Sequence, residues 1–298
     1  MSGELTLIEV GPREGFQTVK QLLPTPMKLQ IINGLVRAGL RHVQVASFVS
    51  PKLMPQMADA DEVCAGLTHA DGVCFSGLCL NVKGVERARD AGLHAVDVSI
   101  SASDTHGRKN AGKSLDEARV ALADMIRVAR QAGLKVRAGL QCVFGCAYEG
   151  EISEGRVHEL VDEILAQGVD MLSLADSPGM AHPRQVTALL GNLLPNVPRQ
   201  VPVVLHFHDT RGLGMANLMA ALDCGVTHFD TALGGIGGCP FIPGAAGNIA
   251  TEDVGNLAAQ MGMQTRIDLS AVARWTRNLE EFLGTRFPGK LHFILNKD

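Results

Sequence analysis

Short apolar runs of β character alternate along the chain with longer stretches in which apolar residues recur at helical spacing. The runs cover residues 5–10, 42–47, 73–79, 95–100, 135–143, 171–175, 203–208 and 228–232. Between them, residues 25–38, 56–67, 82–90, 114–131, 154–167, 183–193 and 214–223 read as helices. Several helices stop on one signal: Gly39, Gly92, Gly133, Gly168 and Gly225 each precede the apolar residue that opens the next strand. Glycine there closes a helix in the left-handed conformation. Strict alternation implies parallel strands joined by right-handed crossovers. Eight units predict an α/β fold closed into a (β/α)8 TIM barrel, with an open doubly wound sheet as the competing arrangement.

After the eighth run comes a glycine-rich loop at 234–248, then helical segments near 251–262 and 269–283. These predict the last barrel helix and a C-terminal helical extension. No Pro- or Ser-rich linker divides the chain, so residues 1–298 are expected to form one catalytic domain.

Composition narrows the class. A length of 298 residues suits one barrel and needs neither disulfides nor structural metal to bury a core. A net charge of −4 lacks the basic stripe of a nucleic-acid binder. No apolar run approaches the ~20 residues of a membrane-spanning helix. The first 15 residues carry Glu4 and no basic, apolar leader pattern. Seven cysteines without paired spacing fit reduced thiols in a cytoplasmic protein.

A barrel carries its chemistry at the C-terminal ends of its strands. The first strand runs into Gly11-Pro12-Arg13-Glu14-Gly15-Phe16-Gln17, and the seventh ends His206-Phe207-His208-Asp209-Thr210. Residues two apart on a strand share a face, so His206 and His208 both point into the barrel mouth. Two imidazoles and the Glu14 carboxylate suit a hard or borderline divalent ion, and the cysteines show no zinc-type spacing. Asp176 stands where the sixth strand meets a turn, either capping that turn or facing the mouth. In Gly234-Gly235-Ile236-Gly237-Gly238-Cys239-Pro240, four glycines predict a moving lid that carries a thiol. Asn248, Glu252 and Asp253 follow at the start of the next helix.

Taken in order, the segment at Arg13-Glu14, Ser47-Phe48-Val49-Ser50-Pro51-Lys52, His206-Phe207-His208-Asp209-Thr210, Gly237-Gly238-Cys239-Pro240 and Gly247-Asn248-Ile249-Ala250-Thr251-Glu252-Asp253 resemble hydroxymethylglutaryl-CoA lyase. That enzyme belongs to the metal-dependent barrel lyases and synthases related to isopropylmalate and homocitrate synthases. Cys142-Val143-Phe144-Gly145-Cys146 is similar to a further family segment. The resemblance implies cleavage of 3-hydroxy-3-methylglutaryl-CoA to acetyl-CoA and acetoacetate. It implies one Mg²⁺ or Mn²⁺ held by Glu14, His206, His208 and Asn248. It makes Arg13 the cation at the thioester oxygen and Cys239 the lid acid, with Asp176 and Glu252 as supporting carboxylates. His206 or Asp176 would take the hydroxyl proton. The expected partner is an acyl-CoA substrate, not nucleic acid or membrane, and a homodimer follows only by analogy. Lys20, Lys52, Arg108 and Lys109 are basic residues available to the coenzyme.

Three departures bear on substrate identity. Glu14 stands where the lyases carry Asp, although homocitrate synthases have Arg-Glu-Gly there. Gln44 replaces a Glu, and Thr18-Val19-Lys20 replaces Asn-Glu-Lys. Alternatives are therefore a lyase for citramalyl-CoA or a longer 3-substituted glutaryl-CoA, a Claisen-type synthase, and a non-catalytic barrel that binds metal and acid.

Overall fold

The computed structural model describes residues 3–238 and 247–295. Eight parallel strands close into a barrel in chain order: β1 (Thr6–Glu9), β2 (His42–Ser47), β3 (Cys74–Leu78), β4 (Ala95–Ser101), β5 (Lys135–Gln141), β6 (Met171–Asp176), β7 (Val203–Phe207) and β8 (His228–Thr231). The last strand pairs back onto the first, Ile8 opposite Asp230 and Glu9 opposite Thr231. The closed barrel, not the open sheet, is the fold.

Strand alternation sorts the side chains. Along β4, Val96, Val98 and Ile100 are buried in the core, while Asp97 and Ser99 line an interior cavity. Helices cover the outside, several of them opened by a side chain that accepts from the first turn. The helix Leu115–Gln131 opens at Ser114, whose hydroxyl accepts from the Glu117 N–H while the Glu117 carboxylate accepts from the Ser114 N–H. Between β4 and that helix lies a short helix, Asp104–Ala111, which the apolar pattern does not predict. The ring is completed by Thr251–Gln260, and Leu269–Leu283 forms the C-terminal extension. This extension packs against the first long helix, Thr25–Arg37, where Gly34 is required by close approach. A Cβ there would run into the Trp275 indole.

Two irregularities shape the mouth. Gly11–Gly15 forms a wide turn in which the Phe16 N–H reaches back to the Gly11 carbonyl. Such π-type turns re-aim side chains and concentrate at functional sites. In β2 the register with β3 slips between Gln44 and Ala46. No described helix is long and apolar enough to cross a membrane.

Candidate active site

The histidine pair sits as strand alternation demands. Phe207 turns outward into the core with no exposure, while His206 and His208 meet with their Nε2 atoms 3.0 Å apart. Glu14 joins them from the turn after β1, its Oε1 lying 3.0 Å from His208 Nε2 and 3.5 Å from His206 Nε2. The ligand atoms of all three residues lie within 4.8 Å of one another, a group able to hold a metal ion.

Outer partners fix both rings. His208 Nδ1–H donates to the Ser177 carbonyl at 2.7 Å, and His206 Nδ1–H donates to Asp230 Oδ2 at 3.1 Å. With both Nδ1 atoms committed as donors, both Nε2 atoms converge on the Glu14 carboxylate. Two such nitrogens around a buried carboxylate call for positive charge, supplied by a cation or by a proton on His206. Burial works against charge on His206, yet Glu14 and Asp230 together raise it to about 9. Burial likewise opposes ionisation of Glu14, but His206 and Arg13 hold its carboxyl well below the usual carboxylate range.

Asn248 arrives beside this group because its backbone bridges to His208. Its Nδ2 donates to the Ile236 carbonyl at 3.0 Å, whereas its Oδ1 is buried with no hydrogen-bond partner among the described residues. A buried amide oxygen left unpaired is costly, and a cation would satisfy it. The donor types present are two imidazoles, a carboxylate and an amide oxygen, with no thiolate. They fit a hard or borderline divalent ion. Arg13 lies alongside, its Nη2 3.1 Å from Glu14 Oε2 and its Nε donating to Gln44 Oε1. These residues open onto a cavity of about 430 Å³.

Two expected carboxylates are occupied elsewhere. Asp176 spends both oxygens on backbone N–H groups, Met180 at 2.8 Å and Ala181 at 3.0 Å. It caps the turn that presents the Ser177 carbonyl to His208, and it is absent from the cavity lining. Burial pushes its carboxyl up. Asp176 thus caps the turn, and His208 and His206 still act on it electrostatically. Glu252, also absent from the lining, accepts from the Gly234 N–H at 2.9 Å and from the Thr276 hydroxyl. Burial raises it to about 7. Neither carboxylate meets the metal-type group. Cys239 falls within 239–246, outside the described residues.

Sequence reasoning missed Glu9 and a charged network through the barrel. Glu9, fully buried, accepts from Gly11 N–H at 2.9 Å, Leu233 N–H at 3.0 Å and the Thr251 hydroxyl at 2.7 Å. Burial raises it to about 8. Arg137 on β5 donates to Asp97 on β4 and Asp230 on β8, so the carboxylate that orients His206 is itself held by a buried cation. The available signal was a charged residue at the centre of an apolar run: Val96-Asp97-Val98, Val136-Arg137-Ala138 and Phe229-Asp230-Thr231.

Comparison with known proteins agrees with this geometry. The HMGL-like family model matches residues 4–278. The chain is 39% identical over 287 residues to a hydroxymethylglutaryl-CoA lyase of Bacillus subtilis, covering 96% of each chain. It is 39% identical over 282 residues to that of Pseudomonas mevalonii, covering 94% of this chain and 92% of the relative. Among solved structures, the B. subtilis enzyme superposes with a TM-score of 0.94 at 39% identity, covering 98% of this chain and 97% of that one. A lyase from Acinetobacter baumannii, in complex with coenzyme A and 3-methylmalate, gives 0.93 at 38% identity, covering 99% of this chain and 96% of that one. The strand order, the site and these matches agree: the chain belongs to the HMGL-like family.

Proposed function

We propose that this protein is a divalent-metal-dependent carbon–carbon lyase that cleaves 3-hydroxy-3-methylglutaryl-CoA to acetyl-CoA and acetoacetate. The observation that carries the reading is the convergence of Glu14, His206 and His208 beside the unpaired Asn248 Oδ1. Mg²⁺ or Mn²⁺ is the ion proposed for these four residues. When bound, such an ion polarises the tertiary hydroxyl and lowers its pKa.

Cleavage breaks the bond between the hydroxyl-bearing carbon and the carbon next to the thioester. The hydroxyl carbon becomes the ketone of acetoacetate as the hydroxyl proton passes to His206 or Asp176, the two bases assigned to that step, and the electron pair leaves on the thioester fragment as an enolate. Arg13 is assigned to offset the negative charge that grows on the thioester oxygen, an interaction strongest in the transition state. Its contact with Gln44 holds the guanidinium at the cavity edge. Asp230 and Arg137 fix the His206 ring. Cys239 is assigned to return a proton to the enolate carbon. Asp176 and Glu252 support the site by shaping its loops. The same proposal takes the whole chain as one catalytic domain, located in the cytoplasm.

A second reading, cleavage of citramalyl-CoA to pyruvate and acetyl-CoA, draws on Gln44; the 3-methylmalate in the A. baumannii relative is a positional isomer of citramalate. The test is incubation with Mg²⁺ or Mn²⁺ and a panel of 3-hydroxyacyl-CoA acids, following acetyl-CoA release and the ketone product. Acetoacetate supports the main reading, and pyruvate alone supports the second. Condensation with a 2-oxo acid, or metal binding without turnover, overturns both.

A further inference from the structure

The cavity has the size of a small acid, not of a whole coenzyme A thioester. On the lyase reading, the nucleotide stays outside the mouth, the hydroxyl and carboxylate of the acyl group are held at the cation site, and the remaining substituent of the hydroxyl-bearing carbon faces the floor. That floor is polar. Asp97 and Arg137 are the third residues of β4 and β5 and register partners, deeper than Ser99 and Gln141 on the same faces. One Asp97 oxygen, Oδ1, is held by Arg137, but Oδ2 is buried with no hydrogen-bond partner among the described residues. Gln44 presents the converse. Its Oε1 accepts from Arg13, while its Nε2 is buried without an acceptor among those residues. The register slip in β2 falls at Gln44, and such bulges re-aim a side chain beside a site.

One orphan acceptor and one orphan donor thus border the same cavity. Each is a buried polar atom whose cost a hydrogen-bonding ligand removes and a hydrocarbon does not. A bare methyl group on the floor leaves both unmatched. A hydroxyl can donate to Asp97 and can accept from Gln44. We infer that Asp97 and Gln44 determine specificity, selecting a 3-hydroxyacyl thioester whose substituent at the hydroxyl-bearing carbon carries a further hydroxyl in preference to a methyl. This rests on the lyase reading of the cavity and refines its substrate.

The experiment compares 3-hydroxy-3-methylglutaryl-CoA with 3-hydroxy-3-(hydroxymethyl)glutaryl-CoA, which differ by one oxygen. Both kcat/KM and Kd are measured with Mg²⁺ on the full chain. The parent is expected to favour the hydroxymethyl thioester by roughly 10- to 100-fold, the range for matching otherwise unpaired buried groups. Asp97→Asn keeps Oδ1 for Arg137 but replaces the charged acceptor with an amide, so the preference should fall several-fold. Gln44→Leu, on a different strand, should lower it independently, and unchanged Mn²⁺ affinity shows that the metal-type group survives either change. A parent with no preference, or a ratio that neither variant alters, overturns the inference. If neither thioester releases acetyl-CoA, the lyase reading fails, while the ratio of dissociation constants still decides the roles of Asp97 and Gln44.

Discussion

Replacing Glu9 with glutamine should make the fold more tolerant of alkaline pH. Glu9 has no exposed surface, and burial raises it from 4.5 to about 8. Between those values the folded chain keeps a proton that the unfolded chain releases. Stability from this group is therefore fully present below the unfolded value and is lost as pH rises towards 8. At about 1.4 kcal/mol per unit, the interval sets a ceiling of roughly 5 kcal/mol, a large share of an ordinary domain's stability. The amide variant has nothing to ionise. Its oxygen can still accept from Gly11 and Leu233, and its N–H₂ can donate to the Thr251 hydroxyl. Urea unfolding of parent and variant near pH 5 and near pH 8.5 measures the effect. The two should agree within about 1 kcal/mol at the lower pH, with the variant ahead by several kcal/mol at the higher. Because Glu252 titrates in both proteins, only the difference between them isolates Glu9. A difference that stays constant with pH would refute the reasoning, since Glu9 would then be equally ionised in both states.

His208→Ala should abolish metal-dependent turnover and weaken Mn²⁺ binding while circular dichroism stays unchanged; undiminished binding would remove His208 from the ligand set. Asp230→Asn leaves His206 in place but weakens the partner of its Nδ1, so metal affinity should drop about 10- to 100-fold, read by titration calorimetry. Gly34→Ala drives a methyl into Trp275 and should cost about 1–3 kcal/mol, checked by denaturant unfolding, with turnover per folded molecule unaffected. Cys239→Ser should lower kcat by roughly 10²–10⁴, the range for a proton-transfer group, with KM nearly constant. Near-parental turnover in Cys239→Ala would assign the proton to another donor.

The histidine pair was legible because its geometry is local. Alternation along β7 is enough to turn His206 and His208 the same way and Phe207 the other. Glu14 was legible because a barrel strand end is where chemistry collects. The partner of Arg137 was not, since Asp230 is 93 residues away and meets it only after the barrel closes. Asp176 and Glu252 were visible as carboxylates, but their use depends on which backbone N–H groups a turn aims at them. The helix Asp104–Ala111 escaped because Asp-Thr-His-Gly-Arg-Lys-Asn-Ala has almost no apolar periodicity; it is held by the Ser103 hydroxyl accepting from His106 N–H.

The convergent group straddles the line along which β1 and β8 join. Glu14 is made early in synthesis, whereas the histidines and Asn248 come from the last third of the chain. No nascent chain that stops short of Asn248 can assemble the full donor set, however well its first half has folded. Cation binding at these residues is therefore a reporter of synthesis past Asn248 and barrel closure together. It also acts as a clasp: an ion that binds only the closed form adds to stability by mass action, most strongly at the joint between the two ends of the chain.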